Sequence, residues 1–159
     1  MIESISLQQW HQLAQQGAYL PMRIQVNGTS MYPLLRRNRD YVTIHPLSEV
    51  PRQGDIVLFS DPDREARYVL HRVWRVEKDA VLTWGDNCRR ADGLIPLSCI
   101  WGKAVLIERG KLRITPEPSR GLRLARCWHV LGRGYRTAER LGRKLTGAVK
   151  RRLSRTNHE

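Results

Sequence analysis

The sequence predicts a mainly β domain of antiparallel strands, with a short helix before it and a basic helical tail after it. From Pro21 onward, short runs of alternating or β-branched residues follow one another, and turn residues bound each run. Short strands at this density favour an antiparallel sheet over a doubly wound α/β sheet. The chain has 159 residues, of which 41% are hydrophobic and 27% charged, which suits one domain with a sizeable core.

The first predicted element is a helix from Ser6 to Gly17, within an N-terminal segment of residues 1–20. Ser6 and Gln9 have the spacing of a capping box, and Gly17 supplies the stop. One helical face is apolar, so we expect the helix to dock on the domain. The residues of that face are Leu7, Trp10, Leu13 and Ala14.

Seven strands are predicted in the central domain, residues 21–115. They are Met22–Asn27, Asp40–His45, Asp55–Phe59, Arg67–Glu77, Ala80–Trp84, Ile100–Glu108 and Lys111–Ile114. Pro116 and Pro118 then close the domain and form a hinge to the tail.

The tail, residues 116–159, combines positive charge with the periodicity of a helix. The chain has a net charge of +13, and residues 119–159 supply most of it with 12 basic and 2 acidic residues. Apolar residues recur at intervals of three or four from Leu124 to Leu153, which predicts a helix with one apolar stripe. Such a helix either lies on an anionic membrane surface or packs along its own domain, and its charge also suits nucleic acid.

Composition and cysteine usage exclude several classes of protein. No run approaches the roughly 18–20 apolar residues of a membrane span, and the N-terminus lacks a secretory signal pattern. We therefore expect a cytoplasmic protein or one bound peripherally at a membrane surface. Cys88, Cys99 and Cys127 contain no C-x-x-C pair, which predicts free buried thiols rather than disulfides or a zinc site. The histidines lack metal-ligand spacing, and nothing in the sequence implies a cofactor.

Three short segments carry the groups that acyl-transfer chemistry uses. Gly28-Thr29-Ser30 follows a predicted strand, and the glycine permits a turn that points the N–H groups of Thr29 and Ser30 at a developing oxyanion. His71 lies in a later strand and is a candidate general base for a serine. Asp86 and Asp92 share one loop, and either carboxylate is a candidate for orienting the imidazole. Each segment alone is more typical of a turn or a structural histidine.

In this order, the segments resemble the serine peptidase superfamily that contains type I signal peptidases and LexA-like self-cleaving repressors. The matching landmarks run collinearly from about residue 24 to 108, as Gly28-x-Ser30-Met31-x-Pro33, Gly54-Asp55-Ile56-Val57, His71-Arg72-Val73, Gly85-Asp86-Asn87 with Asp92, and Ile100-Trp101-Gly102-Lys103-Ala104-Val105. Many members of the superfamily use a lysine base. A histidine at this position resembles the Ser-His branch, which includes the endoplasmic-reticulum and archaeal signal peptidases.

The resemblance implies a coiled antiparallel β fold and a serine endopeptidase that removes leader or signal segments. The implied catalytic residues are Ser30 as nucleophile, His71 as base, and Asp92 as orienting carboxylate with Asp86 assisting or as its alternative. The implied supporting residues of the oxyanion site and its loop are Gly28, Thr29 and Met31. The expected partners are a leader-bearing peptide or protein and, through residues 119–159, an anionic membrane surface.

Two departures from the family pattern leave other functions open. Signal peptidases carry a transmembrane anchor before the serine, where this sequence predicts only a short helix, and glycine at position 28 is closer to the LexA-like arrangement. One alternative is a LexA-like self-cleaving or nucleic-acid-associated regulator, although no helix-turn-helix is predicted before the domain. The other is a non-catalytic binding module, against which the joint retention of serine, histidine and both aspartates argues.

Overall fold

The computed structural model describes residues 5–64 and 66–131. The chain divides into two compact units, Met1–Ala125 and Arg126–Glu159. The first unit contains the helix α1, eight strands, a short 3₁₀ turn and the beginning of a second helix described below. The elements before that second helix are α1 (Leu7–Gln15), β1 (Met22–Gln25), β2 (Asp40–Pro46), β3 (Ile56–Ser60), β4 (Tyr68–Val76), β5 (Ala80–Trp84), β6 (Gly93–Pro96), the 3₁₀ turn (Leu97–Cys99), β7 (Ile100–Arg109) and β8 (Leu112–Ile114).

The eight strands form one antiparallel sheet in the order β1-β2-β7-β3-β4-β5-β6, with β8 paired to β7. The prediction of a mainly β, antiparallel fold is therefore confirmed. Seven of the strands lie where the sequence pattern places them, with ends that differ by at most two residues. β6 was not predicted, because its four residues begin with glycine and end with proline and are typical of a turn.

The helix α1 forms as its sequence predicts. Ser6 accepts a hydrogen bond from the N–H of Gln9, and the Gln9 side chain accepts one from the N–H of Ser6, which completes the capping box. Trp10 is 1% exposed and donates from its indole nitrogen to the carbonyl of Leu20 at 2.7 Å. This contact docks the helix on the apolar cluster that lies under β1 and β2.

The core lies on both faces of the central strand β3. Ile56 and Leu58 point into a cluster with Trp10, Met31 and other residues of the β1–β2 side. Val57 and Phe59 point to the opposite face, into a second cluster built mainly on β4, β5 and β6. Alternation along one strand thus separates two clusters, and the first of them also buries Met31 and Leu35 from the connection between β1 and β2.

The chain is helical over residues 118–131, and residues 118–125 of this run belong to the first unit. Leu122 and Ala125 are buried there, and a Cβ atom on Gly121 would lie 2.6 Å from Nη1 of Arg72. The rest of the predicted tail helix lies outside the described residues. Within the described ranges, no helix is both long and apolar enough to cross a membrane.

Candidate active site

Ser30 lies in the serine loop, residues 26–39, which connects β1 to β2. A turn follows Thr29, whose carbonyl accepts from the N–H of Tyr32 at 3.2 Å. Met31 is 3% exposed and belongs to the first apolar cluster, so burial of the residue after the serine fixes the loop. Ser30 itself remains half-buried, at the wall of a cavity.

A buried ion pair holds the far end of the serine loop. Asp40, which is fully buried, accepts two hydrogen bonds from the guanidinium of Arg109, at 2.8 and 2.6 Å. The same carboxylate accepts the N–H of Arg36 at 2.9 Å, and Arg109 also donates to the carbonyl of Leu34. Burial raises the pKa of Asp40, but the hydrogen bonds and charge of Arg109 and the N–H of Arg36 outweigh it, so the pKa lies below its ordinary value.

His71 lies in β4 opposite Val57 and is 4% exposed. Its Nδ1 atom is 2.6 Å from Oδ2 of Asp92. Thr83 donates its hydroxyl to the same Oδ2 atom at 2.8 Å, and the N–H of Asp92 donates to the carbonyl of Thr83 at 3.0 Å. The carboxylate is therefore held on both its side chain and its backbone, and it fixes the orientation of the imidazole ring.

Asp86 makes a different contact, although it lies in the same aspartate loop, residues 85–92. Both of its carboxylate oxygens accept from Arg72, at 2.9 and 2.7 Å, and both side chains are at least 96% buried. Arg72 donates a further hydrogen bond to the carbonyl of Gly54 at 3.0 Å. Of the two candidate aspartates, the structure places Asp92 on the imidazole and Asp86 on the arginine that follows it in β4.

The serine loop and the aspartate loop are joined directly. The N–H of Asn87 donates to the carbonyl of Ser30 at 2.7 Å, and its side-chain amide donates to the carbonyl of Thr29 at 3.2 Å. A Cβ atom on Gly85 would lie 2.8 Å from both Nε2 of His71 and the carbonyl oxygen of Ser30. Only glycine lets the two loops approach this closely. Sequence reasoning treated Asn87 as a turn residue, and its Gly-Asp-Asn context gave no signal of this bridge.

A cavity of about 650 Å³ brings the predicted residues together. Ser30, His71 and Asp92 all line it, and so do Gly28 and Cys88. Among the described residues, no hydrogen bond joins Oγ of Ser30 to the imidazole, whose Nε2 atom instead lies 4.0 Å from Sγ of Cys88. Unligated active sites often have such an open nucleophile–base contact.

The backbone around Ser30 is suited to binding an oxyanion. Within the described part of the chain, the N–H groups of Thr29 and Ser30 donate to no other protein group. Gly28 does not adopt a left-handed φ, and a Cβ atom there would meet only Oγ of Ser30, at 3.9 Å. The turn therefore does not require the conformational freedom of glycine at this position.

The pKa of His71 is raised from its ordinary value of 6.5 to about 9. Burial of the ring acts in the opposite direction, since it disfavours the imidazolium. The hydrogen bonds and the electrostatic interactions of the ring with Asp92 and Cys88 outweigh that penalty. The site thus stabilises the protonated imidazole, the form that the base takes after it removes a proton from a serine.

The three cysteines are free, as predicted, but the expectation that they are buried is wrong. Cys88 and Cys99 are half-buried and Cys127 is exposed. Among the described residues, no group of histidine, cysteine and acidic side chains has the arrangement of a metal site. Comparison with models of known protein families and with curated proteins finds no match to this chain.

Proposed function

We propose that this protein is a serine endopeptidase in which Ser30 is the nucleophile, His71 the general base and Asp92 the orienting carboxylate. The observation that carries the proposal is the convergence on one cavity of Ser30 and of buried His71 with its partner Asp92, 2.6 Å between Nδ1 and Oδ2. A chance turn serine or a structural strand histidine has no reason to share a cavity with such a pair. The arrangement is that of nucleophilic acyl transfer.

The chemistry follows from the position of each group. Oγ of Ser30 attacks the carbonyl carbon of the scissile bond while Nε2 of His71 takes the hydroxyl proton. The N–H groups of Thr29 and Ser30 stabilise the oxyanion that forms. His71 then donates its proton to the leaving amine. Water attacks the acyl-enzyme in turn: His71 takes a proton from the water and returns it to Oγ of Ser30 as the acyl group leaves. Asp92 holds Nδ1 throughout and stabilises the imidazolium.

Two unpaired strand edges beside the cavity favour an extended peptide as the substrate. Within the described residues, β1 pairs only with β2, and residues 68–71 of β4 pair only with β3 because pairing with β5 begins at Arg72. Residues 24–28 and 67–71 both line the cavity. A substrate strand along these segments would hydrogen-bond to the free edges and present its carbonyl to Ser30.

We take the substrate to be a peptide or protein with a leader or signal-type segment, as the resemblance to signal peptidases implies. The basic residues 119–159 would keep the enzyme near an anionic membrane surface where such substrates emerge. Sequence resemblance and charge support this part of the proposal, and the described geometry bears only on the peptidase chemistry.

The first test is covalent labelling of the purified full-length protein by a fluorophosphonate, read by intact mass. We expect one adduct per chain that is lost in Ser30→Ala and in His71→Ala, and retained in the matched controls Ser48→Ala and His45→Ala. Ser48 is exposed, and neither control residue lines the cavity. Peptides with small residues at the cleaved bond, the preference that the resemblance to signal peptidases implies, are then incubated with the protein, and any products are mapped by mass spectrometry. An adduct that persists in Ser30→Ala, or a folded protein that neither labels nor cleaves, contradicts the proposal.

A further inference from the structure

A third side chain, Cys88, shares the imidazole of His71 with the proposed catalytic pair. Its Sγ atom is 4.0 Å from Nε2. Among the described residues, this thiol is the hydrogen-bond partner of that nitrogen. Nε2 is also the atom that must accept the proton of Ser30. His71 is 4% exposed. Its Nδ1 atom is held by Asp92, and its Nε2 atom is the one that lies near the thiol.

The backbone holds Cys88 in this position. The N–H of Cys88 donates to the carbonyl of Gly85 at 2.9 Å, and its carbonyl accepts from the indole of Trp84 at 3.1 Å. A Cβ atom on Gly85 would lie 2.7 Å from Sγ, so the absence of a side chain there makes room for the thiol. Cys88 is also half-buried at the cavity wall, and a small reagent that enters the cavity can reach it.

We propose that Cys88 is a reactive thiol paired with His71, and that its oxidation by a hydroperoxide to a sulfenic acid switches the peptidase off. The inference rests on the proposed function, because its consequence is the loss of the Ser30–His71 chemistry. Thiolates are the nucleophilic form of cysteine, and an adjacent imidazolium stabilises them. The raised pKa of His71, to which Cys88 contributes, keeps the ring protonated at neutral pH and agrees with such a pair.

The oxidation step is balanced with hydrogen peroxide as the oxidant. The thiolate sulfur of Cys88 attacks one peroxide oxygen, an S–O bond forms, and the O–O bond breaks. The departing hydroxide takes a proton from solvent and leaves as water. Sulfur loses two electrons to the peroxide, and the product is a sulfenic acid that dithiothreitol returns to the thiol. The added oxygen lies beside Nε2 and blocks its access to the hydroxyl of Ser30.

Alkylation rates measure the pair independently of any peptidase activity. Full-length protein is treated with iodoacetamide at pH 7, and the modification of each cysteine is followed by peptide mapping. The chain contains three cysteines, so exposed Cys127 reports the intrinsic rate and half-buried Cys99 reports whether the fold is intact. We expect His71→Gln to slow the alkylation of Cys88 about tenfold or more, with Cys127 and Cys99 unchanged. His45→Gln should leave all three rates unchanged.

An equal Cys88 rate in wild type and His71→Gln, with Cys99 still slow, overturns the pairing. If Cys99 becomes fast in His71→Gln, the variant has lost its fold, and Asp92→Asn replaces it in the same comparison. We expect Asp92→Asn to slow Cys88 as well, because the imidazolium loses its carboxylate partner.

The regulatory consequence is tested by labelling of Ser30 with a fluorophosphonate after peroxide treatment. We expect labelling to fall about tenfold or more and to return with dithiothreitol, while Cys88→Ser gives the same labelling before and after peroxide. Unchanged labelling of wild type after complete oxidation of Cys88 overturns the switch. A protein that never labels at Ser30 overturns the proposed function and the switch with it, whereas the alkylation rates still decide the pairing of Cys88 and His71.

Discussion

The serine loop and the aspartate loop are held by the same device, a buried arginine–aspartate pair, but the two pairs lie in different places relative to the catalytic groups. Asp40 and Arg109 fix the end of the serine loop, ten residues beyond Ser30. Arg72, in contrast, directly follows His71 in β4, and its partner Asp86 lies in the same loop as Asp92.

The difference indicates how one fold would separate stability from the proposed catalysis. On the aspartate-loop side, a single ion pair joins the residue after the proposed base, His71, to the loop that carries Asp92. On the serine-loop side, burial of Met31 and the bridge from Asn87 position Ser30 locally, and the ion pair only closes the loop. The predictions below test this distinction.

The largest effect is expected for Asp92→Asn. The substitution keeps the shape of the side chain but removes the charge that stabilises the imidazolium and fixes its tautomer. We expect the second-order rate of fluorophosphonate labelling, or kcat for a peptide, to fall roughly 10²- to 10⁴-fold. The free energy of unfolding should fall as well, because the imidazolium of His71 loses its carboxylate partner. A fall in the rate of less than about threefold would remove Asp92 from the proposed catalytic set.

Replacing the two arginines by methionine separates the two loops. Arg72→Met and Arg109→Met each leave a buried aspartate without its cation, so each should lower the free energy of unfolding by about 3–5 kcal/mol in urea titrations. The labelling rate of the folded protein should fall roughly 10- to 100-fold only in Arg72→Met, because displacement of His71 and the aspartate loop misplaces the base. Equal losses of rate in both variants would contradict the comparison.

The raised pKa of His71 predicts opposite effects of pH on activity and stability. The base is active when neutral, so the labelling rate should rise about tenfold per pH unit and level off near pH 9. The imidazolium stabilises the folded state fully below about pH 6.5, and this contribution is lost as the pH rises through about 9. We expect this contribution to be about 3 kcal/mol. The difference in the free energy of unfolding between wild type and His71→Gln, from urea titrations at several pH values, measures it.

Cys88→Ala refines this prediction. Since contact with Cys88 contributes to the raised pKa of His71, the midpoint of the rate profile should move to lower pH in the variant. A wild-type profile that levels off near pH 6.5 would show that neither partner raises the pKa in solution.

The sequence predicted the strands better than it predicted the roles of the loop residues. Strands such as Ala80–Trp84 carry their own alternation, so their bounds can be read locally, whereas β6 forms only because β5 pairs with it. The sequence also predicted that Ser30, His71 and an aspartate come together, and Ser30, His71 and Asp92 do line one cavity. It favoured Asp92 over Asp86 only through the resemblance, because the choice depends on where Arg72 points in the folded chain. Cys88 was predicted to be a free buried thiol, since no sequence pattern places it beside His71.

The smallest effects are expected from two glycines that differ in their surroundings. Neither Gly85 nor Gly28 has a left-handed φ, so an alanine at either position is free of backbone strain. At Gly85 the new methyl group would lie 2.7–2.8 Å from Cys88, His71 and the carbonyl of Ser30, whereas at Gly28 its nearest neighbour is 3.9 Å away. We expect Gly85→Ala to cost about 1–3 kcal/mol of stability and to slow labelling by separating the two loops. Gly28→Ala should be neutral or stabilise by about 0.4–1 kcal/mol, because alanine restricts the unfolded chain.

Urea unfolding and the labelling rate measure both variants side by side, with Gly28→Ala as the matched control for the substitution itself. If Gly85→Ala keeps the wild-type rate and stability, the carbonyl of Ser30 can move away without consequence, and the close approach of the two loops does not position the nucleophile. If Gly28→Ala is the more damaging of the two, the free N–H groups beside Ser30 depend on the flexibility of that glycine. The functional contrast would then lie within the serine loop rather than between the two loops.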